Sequence, residues 1–225
     1  MIKSPHTQQH LFSDPTAAAL AEAMPLLIQP YQGKSSAIDE ILNSRANEAL
    51  ILGNNGLYMI VTRPWVTAII PIFSHDIPAP YGAVEPGISL RCNIIPEELI
   101  EESIRIFTEA LPNESGTFII WHEDKKTFRL ESTNEITATP SHLHYYQPVL
   151  SSKEHIVLDM HSHGTAPAFW SATDDQDDRN HTRICAVLGS LDQGRENITS
   201  KVRFCCKGIT INLKTNLMPI YPRKI

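Results

Sequence analysis

The sequence predicts an α+β fold organised as two units. A stripe of apolar residues at helical spacing predicts a helix from Pro96 to Leu111, and its members are Ile100, Ile104, Phe107 and Leu111. Short runs rich in β-branched and aromatic residues lie on both sides of this helix and predict strands. A stretch rich in proline and glycine, from Ser74 to Gly87, predicts a linker or covering loop. We therefore expect a boundary between Gly87 and Pro96, giving units 1–92 and 93–225.

Two helices are predicted in the first unit. Asp14-Pro15, followed by an alanine-rich run, is a favourable helix opening and predicts a helix to Met24. The spacing of Ser36 and Asp39 resembles a capping box and predicts a second helix ending near Ser44. Neither helix carries a catalytic constellation, so we expect the unit to pack on its neighbour or to recognise a partner.

A three-stranded meander is predicted after these helices. The turn sequence Gly53-Asn54-Asn55-Gly56 separates two apolar runs and predicts a hairpin of Ala49–Leu52 with Leu57–Val61. Trp65–Ile72 is a third run of the same kind. The first unit is therefore predicted to be a small α+β domain.

The second unit is predicted to alternate strands with one further helix. That helix begins near Ser171, and a break in the last strand is expected at Gly208. The predicted strands are Thr117–His122, Thr127–Glu131, His142–Leu150, His155–Met160, Arg183–Leu188 and Lys201–Leu213.

The composition of the chain argues against several classes of function. The chain has 225 residues, a formal charge of −6 and a pI near 5.9, which argues against broad binding to nucleic acid or anionic membranes. Its four cysteines form no Cys-x-x-Cys pair, so a cysteine zinc knuckle is not predicted, and free thiols suit a reducing cytosol. No apolar run has the length of a signal peptide or a membrane span. We expect a cytoplasmic protein.

One constellation carries chemistry. His161 and His163 lie two apart at the end of an apolar strand, so their side chains point to the same side. Seven residues later comes Ser171, and Asp174 follows on the same helical face. Two imidazoles and one carboxylate make a half-open tetrahedral zinc site, which leaves one position for water.

Each part of this constellation has an ordinary structural explanation. A His-x-His pair is commonly a surface or core-edge pair, and His142-Leu143-His144 repeats the spacing without a downstream Ser and Asp. The acidic residues after Ser171 are also what a helix start favours. The complete string, His-Ser-His, seven residues, Ser, two residues, Asp, is far more specific than its parts.

This string resembles the signature of the JAMM (JAB1/MPN/Mov34-type) zinc metallopeptidases. That family also has a distant glutamate after its first helix, and Glu114 in Pro112-Asn113-Glu114-Ser115-Gly116 resembles it. The resemblance covers about Pro96 to Leu213. Many members have proline after the second histidine and before the serine, where this chain has Gly164 and Trp170.

The resemblance implies a fold and a mechanism. The fold is a three-layer α-β-α, cytidine-deaminase-like JAMM/MPN domain with a mixed sheet, here preceded by a small α+β N-terminal domain. It implies Zn²⁺ held by His161, His163 and Asp174, and Glu114 as general base. Ser171 is implied as an oxyanion donor, and its structural alternative is the N-cap of the helix that carries Asp174.

The roles of several neighbouring residues stay open at this stage. Asp159 could hold a ligand imidazole or another partner. Ser162 is expected to make local hydrogen bonds. Phe169 and Trp170 could line a substrate groove or form a plain hydrophobic cover.

The family resemblance implies hydrolysis of a peptide or isopeptide bond, usually at the C-terminus of ubiquitin or a ubiquitin-like protein. The segment His-Ser-His-Gly-Thr-x-Pro-Ala-Phe-Trp-Ser-x-x-Asp, from His161 to Asp174, also resembles a bacterial branch of this family, the A proteins of PRTRC gene clusters. This resemblance implies E1-like or ThiF-like partners. A catalytically silent JAMM scaffold, in a ubiquitin-like or DNA-associated complex, is the alternative. A nucleic-acid-processing role fits the acidic charge less well.

Overall fold

A computed structural model describes residues 24–30, 37–42, 47–179 and 181–214 of the chain. These residues fall into two compact units, which divide between Arg91 and Cys92. Within the described ranges, no helix is both long and apolar enough to cross a lipid bilayer.

The first unit contains a five-stranded sheet whose strands follow chain order. The first two strands are parallel, and all other neighbours are antiparallel. The strands are β1 (Leu26–Ile28), β2 (Glu48–Gly53), β3 (Gly56–Arg63), β4 (Val66–Ser74) and β5 (Gly87–Leu90). A short helix, α1 (Ala37–Leu42), belongs to the same unit.

The core of this unit is formed by the sheet and α1. Ile41 of α1 is buried with residues from β2, β3 and β4. The members of this cluster are Ile41, Ala49, Ile51, Tyr58, Ile60, Ile69 and Val84. Burial of such apolar side chains is the main stabilising contribution to a domain of this size.

The predicted hairpin is confirmed, with Gly53 paired to Gly56 across the turn. Gly56 has a φ of +135°, and a Cβ there would lie 2.1 Å from the Phe73 carbonyl oxygen, so a side chain is excluded. The third predicted strand is also confirmed as β4.

Two strands of the first unit differ from the prediction. β1 is only three residues long, which is too short for an alternating apolar pattern to be recognised, and two of its residues are exposed. β5 occupies part of the stretch where we expected a domain boundary. The helix predicted from Asp14 lies outside the described residues, except for Met24, and the capping residue Ser36 is also outside them.

The second unit contains a six-stranded mixed sheet and a separate two-stranded hairpin. The order in the large sheet is β13-β12-β11-β10-β6-β7, and the hairpin pairs β8 with β9. The strands are β6 (Gly116–His122), β7 (Thr127–Ser132), β8 (Asn134–Thr139), β9 (His142–Tyr146), β10 (Glu154–Ser162), β11 (Arg183–Gly189), β12 (Thr199–Cys206) and β13 (Ile209–Leu213). The helices are α2 (Glu97–Glu109) and α3 (Ala172–Asp178).

Helix α2 confirms three of the four residues of the predicted apolar stripe, but it ends at Glu109, so Leu111 lies half-buried in the turn that follows. Ile100, Ile104 and Phe107 are buried, and Phe107 is completely so. The acidic pair Glu97 and Glu98 lies in the first turn, where it favours the positive end of the helix dipole.

Strand β10 is the centre of the large sheet. It runs antiparallel to β6 and parallel to β11. A parallel pair needs a crossover connection, and here that connection contains α3. The crossover starts at the carboxyl end of β10, so α3 lies close to the end of that strand.

Strand β8 was not predicted, and β9 ends at Tyr146 instead of Leu150. Four of the six residues of β8 are exposed, so its sequence has no apolar alternation to reveal it. The break expected at Gly208 is confirmed, because β12 and β13 form a hairpin around Lys207 and Gly208, both at positive φ.

Candidate metal centre

The carboxyl end of β10 places two imidazoles side by side. His161 still pairs with Val187 of β11, and the backbone N–H of His163 donates to the Leu188 carbonyl at 2.8 Å. Residues two apart on a strand face the same side, and the two Nε2 atoms lie 3.2 Å apart. His163 is almost fully buried and His161 is half-buried.

The loop from Gly164 to Trp170 turns the chain back to this pair. Gly164 has a φ of +55°, and a Cβ there would lie 2.9 Å from the Pro112 carbonyl oxygen. A glycine at this position therefore allows both the left-handed turn and the close approach to the segment before Glu114. Proline, with its φ fixed near −65°, does not fit this conformation.

Helix α3 supplies Asp174, and Ser171 is its N-cap. The Asp174 N–H donates to the Ser171 hydroxyl at 3.1 Å, and the Ser171 N–H donates to Asp174 Oδ2 at 2.7 Å. This is a capping box in which an aspartate takes the usual place of glutamate. The Ser171 hydroxyl also donates to Oδ2 at 2.8 Å, and Oδ1 is the carboxylate oxygen that faces His161.

The three side chains fit a tetrahedral zinc ion. With bonds of about 2.0–2.1 Å, two ligands of such an ion lie about 3.3 Å apart. The observed separations are 3.2 Å between the two Nε2 atoms and 3.3 Å between His161 Nε2 and Asp174 Oδ1, while the approach of Asp174 to His163 is longer, 3.9 Å between Oδ2 and Nε2. One ligand atom from each of the three residues lies within 4.8 Å of the others.

Protonation also favours metal binding by this pair. Burial lowers the pKa of His161 to about 4, against the opposing effect of the Asp174 carboxylate. Burial likewise lowers the pKa of His163. Both imidazoles are therefore neutral near pH 7, and neutral imidazole is the form that binds metals.

Glu114 lies in the loop before β6 and lines the same cavity as the two histidines. Its backbone N–H donates to the Thr139 carbonyl at the end of β8. The side chain is only 8% exposed. Burial, and then the charge of Asp174, raise the pKa of Glu114 to about 7, which is where a general base works best at neutral pH.

Ser162 holds the segment that carries Glu114. Its hydroxyl accepts from the Ser115 N–H at 3.1 Å, and its own N–H donates to the Ser115 carbonyl at 2.9 Å. The expectation that Ser162 makes local hydrogen bonds is confirmed. Because these contacts are made next to Glu114, they fix the backbone beside Glu114 relative to the imidazole pair.

The cavity around the candidate centre has a volume of about 120 Å³. Its wall is formed by the end of β10, by α3 and by the β8–β9 hairpin. Phe169 is 49% exposed and lines this cavity, with its ring 4.2 Å from that of His163. Trp170 is instead covered by the guanidinium of Arg203 at 3.8 Å from the ring centroid.

Behind the cavity lies a buried charge network that sequence reasoning missed. Asp159 accepts from the Tyr145 hydroxyl and forms an ion pair with Arg183 at 2.9 Å. The partners of Asp159 are therefore an arginine and a tyrosine, and not a ligand imidazole. Arg183 follows Asp159 by 24 residues, and the contact arises from the pairing of β10 with β11.

A second cluster, formed by Asp178, Cys185 and Cys205, also has its polar atoms within 4.8 Å of one another. The Asp178 carboxylate is already engaged, because it accepts from Arg203 Nε at 2.9 Å and from Cys185 Sγ at 3.0 Å. Burial raises the pKa of Cys185 well above its ordinary value. A protonated thiol and a guanidinium disfavour a bound cation. We therefore interpret this cluster as a network of hydrogen bonds and ion pairs, and not as a metal site.

The His142-Leu143-His144 sequence lies on β9. Both histidines are exposed, and His142 lines the cavity opposite α3. Neither belongs to a group of three potential ligands among the residues that the structure describes. The downstream Ser and Asp thus distinguish the two His-x-His pairs in the geometry as well as in the sequence.

Comparison with known proteins agrees with this architecture. Residues 96–203 match the family described as prokaryotic homologs of the JAB domain. Residues 14–91 match a domain of unknown function. The second unit is therefore similar to JAB-type domains, and the first unit is similar to a domain of another family. The mixed α+β fold class predicted from the sequence is confirmed.

Among solved structures, the solution structure of protein DSY2949 from Desulfitobacterium hafniense is similar, with 17% identity and a TM-score of 0.39. The alignment covers 52% of this chain and 86% of that one. No curated protein matches the chain.

Proposed function

We propose that this protein is a zinc-dependent metallopeptidase that hydrolyses a peptide or isopeptide bond. One observation carries the proposal: His161 Nε2 lies at tetrahedral zinc spacing from both His163 Nε2 and Asp174 Oδ1, in a cavity that also contains a carboxyl with a pKa of about 7. The match of residues 96–203 to prokaryotic JAB homologs supports it.

In this proposal His161, His163 and Asp174 hold the zinc ion. Bound zinc supplies a Lewis acid that lowers the pKa of water and polarises a substrate carbonyl. The Ser171 N–H and hydroxyl both hold Oδ2 of Asp174, and they orient the carboxylate so that Oδ1 faces His161. Such contacts fix a ligand and commonly change metal affinity by 10- to 100-fold when they are removed.

Glu114 is the general base. It accepts a proton from the attacking water and later returns that proton to the leaving amine. Its pKa of about 7 allows both transfers at neutral pH, because neither the ionised nor the protonated form is strongly preferred. Ser171 is a donor to the developing oxyanion when its hydroxyl turns away from Asp174.

We further propose that the substrate is the C-terminal tail of a ubiquitin-like protein or its conjugate. The support is the resemblance of the sequence around His161 to the A proteins of PRTRC gene clusters. On the same ground, E1-like or ThiF-like proteins are proposed as partners. A cleavage assay on a panel of C-terminal fusions to ubiquitin-like proteins tests the substrate, and co-purification with the E1-like protein tests the partner.

The decisive experiment for the centre is the zinc content of protein purified without chelator or His-tag, measured by elemental mass spectrometry. The matched control is a His142→Ala/His144→Ala variant, which removes a His-x-His pair of the same spacing. We expect about one zinc per chain in the wild type and in this control, and none in His161→Ala/His163→Ala.

Absence of zinc from the wild type, together with no uptake of added zinc, would overturn the proposal and favour a catalytically silent scaffold. Once a substrate is known, Glu114→Gln separates zinc binding from catalysis. We expect this variant to keep its zinc and to lose cleavage. Full cleavage by Glu114→Gln would contradict the role of Glu114 as base.

A further inference from the structure

Arg203 of β12 is a buried cation whose contacts all lie on or beside α3. Its side chain is 3% exposed. It forms an ion pair with Asp178 at 2.7 Å, and its Nη1 donates to Asp175 at 2.5 Å. A buried guanidinium is costly unless it is well paired, and these two carboxylates supply that pairing.

The same guanidinium also contacts the segment just before α3. It lies 3.8 Å from the ring centroid of Trp170, in a stacked cation–π arrangement. Trp170 directly precedes the N-cap Ser171, and its ring lies 6.5 Å from that of His161. Arg203 therefore contacts α3 at its end and contacts the chain before its beginning.

These contacts enclose the segment from Ser171 to Asp174. In the sequence, Trp170 precedes this segment, and Asp175 and Asp178 follow it. A helix of seven residues has little stability of its own, so tertiary contacts determine where it lies. Cys185 and Cys205 of the large sheet contact only the last residue of this helix, Asp178, whereas Arg203 contacts Asp178, Asp175 and Trp170.

We propose that Arg203 is a positioning residue for the metal centre, which places Asp174 by holding both ends of the short helix. The inference rests on the proposed zinc site. Arg203 touches none of the three ligands, and it acts through the backbone of Trp170, Asp175 and Asp178. Removing its contacts lets Asp174 move relative to the imidazole pair, which is fixed separately by β10.

The geometry of the guanidinium explains why arginine is needed. Its planar group donates to two carboxylates and stacks on an indole at the same time. Lysine keeps the charge but has one ammonium group, which cannot make the three contacts together. Arg203→Lys therefore removes the positioning while it retains a cation near Asp178.

Arg183 offers a matched control. It is equally buried and belongs to the same network, but its shortest contacts are with Asp159 and Gln147. Its ion pair with α3 is the longer one to Asp178, at 3.9 Å. Arg183→Lys therefore disturbs the buried network without releasing the segment that carries Asp174.

The test measures zinc affinity by competition with a chromophoric chelator, and the visible spectrum of the Co²⁺-loaded protein. We expect Arg203→Lys to bind zinc at least tenfold more weakly than the wild type, in the range of supporting-contact mutations. The Co²⁺ absorption bands, which report ligand geometry, should shift. Arg183→Lys should stay within threefold of the wild type and keep its spectrum.

A second variant guards against loss of folding. The Asp175 side chain is 61% exposed, so Asp175→Asn removes the charge that pairs with Arg203 and weakens this contact without creating a buried defect. We expect folded protein, by circular dichroism, with zinc affinity about threefold weaker. Unchanged affinity in both Arg203→Lys and Asp175→Asn, or an equal loss in Arg183→Lys, would overturn the inference. Failure of the wild type to bind zinc would overturn the proposed centre itself.

Discussion

Glu114→Gln should make the metal-free protein more stable at alkaline pH. Burial and the nearby Asp174 raise the pKa of Glu114 from its ordinary 4.5 to about 7. That difference corresponds to about 3 kcal/mol, at about 1.36 kcal/mol per pH unit. Ionisation of Glu114 is therefore unfavourable in the folded protein but not in the unfolded chain. Glutamine replaces the carboxyl with a neutral group of similar size.

The sign of the effect depends on pH. Below pH 4.5 the carboxyl is protonated in both states, so the substitution should change the free energy of unfolding little. Between pH 4.5 and 7 the unfolded chain ionises while the folded protein stays protonated, and the destabilisation by Glu114 grows. Above pH 7 it is complete, and the gain from Glu114→Gln reaches about 3 kcal/mol.

Urea denaturation of chelator-treated protein, followed by tryptophan fluorescence between pH 4 and 8, measures this profile. Glu98→Gln makes the same chemical change at an exposed position of the same unit, and it should lower the free energy of unfolding by no more than about 1 kcal/mol, because only its interaction with the helix dipole is lost. A gain for Glu114→Gln that is equal at pH 4 and pH 8, or below about 1 kcal/mol at pH 8, would refute the reasoning.

Three further predictions follow from the second unit. Because burial lowers the pKa of His161 to about 4, zinc-loaded protein should keep its metal through gel filtration at pH 5.5, and half-loss near pH 6.5 would contradict this. Phe107→Ala should lower the free energy of unfolding by about 3–5 kcal/mol in urea, and a loss under 1 kcal/mol would speak against a filled core. Tyr145→Phe removes a donor to buried Asp159 and should cost about 1–2 kcal/mol in the same assay, with an unchanged zinc content as its control.

The sequence predicts those parts of the site that depend on local periodicity. The same-side placement of His161 and His163 follows from strand alternation, and the proximity of Ser171 to Asp174 follows from the first turn of a helix. The apolar face of α2 is visible for the same reason. These features need only a few neighbouring residues to be specified.

The parts that were missed depend on pairing between distant segments. The contact of Asp159 with Arg183 and the contacts of Arg203 with α3 follow from the order of strands in the sheet, which no local pattern encodes. β8 was missed because its exposed residues carry no apolar alternation. Gly164 was noted as a departure from the family, and its reason appears only where Pro112 approaches it.

The rate at which the four thiols of the chain are modified should measure how often the second unit opens. All four are buried, and all four lie in the unit that starts at Cys92. A thiol reagent attacks only the accessible thiolate, so native protein should react only as fast as the unit exposes these side chains. The rate of modification therefore reports opening of this unit alone, while the first unit, which has no cysteine, stays silent.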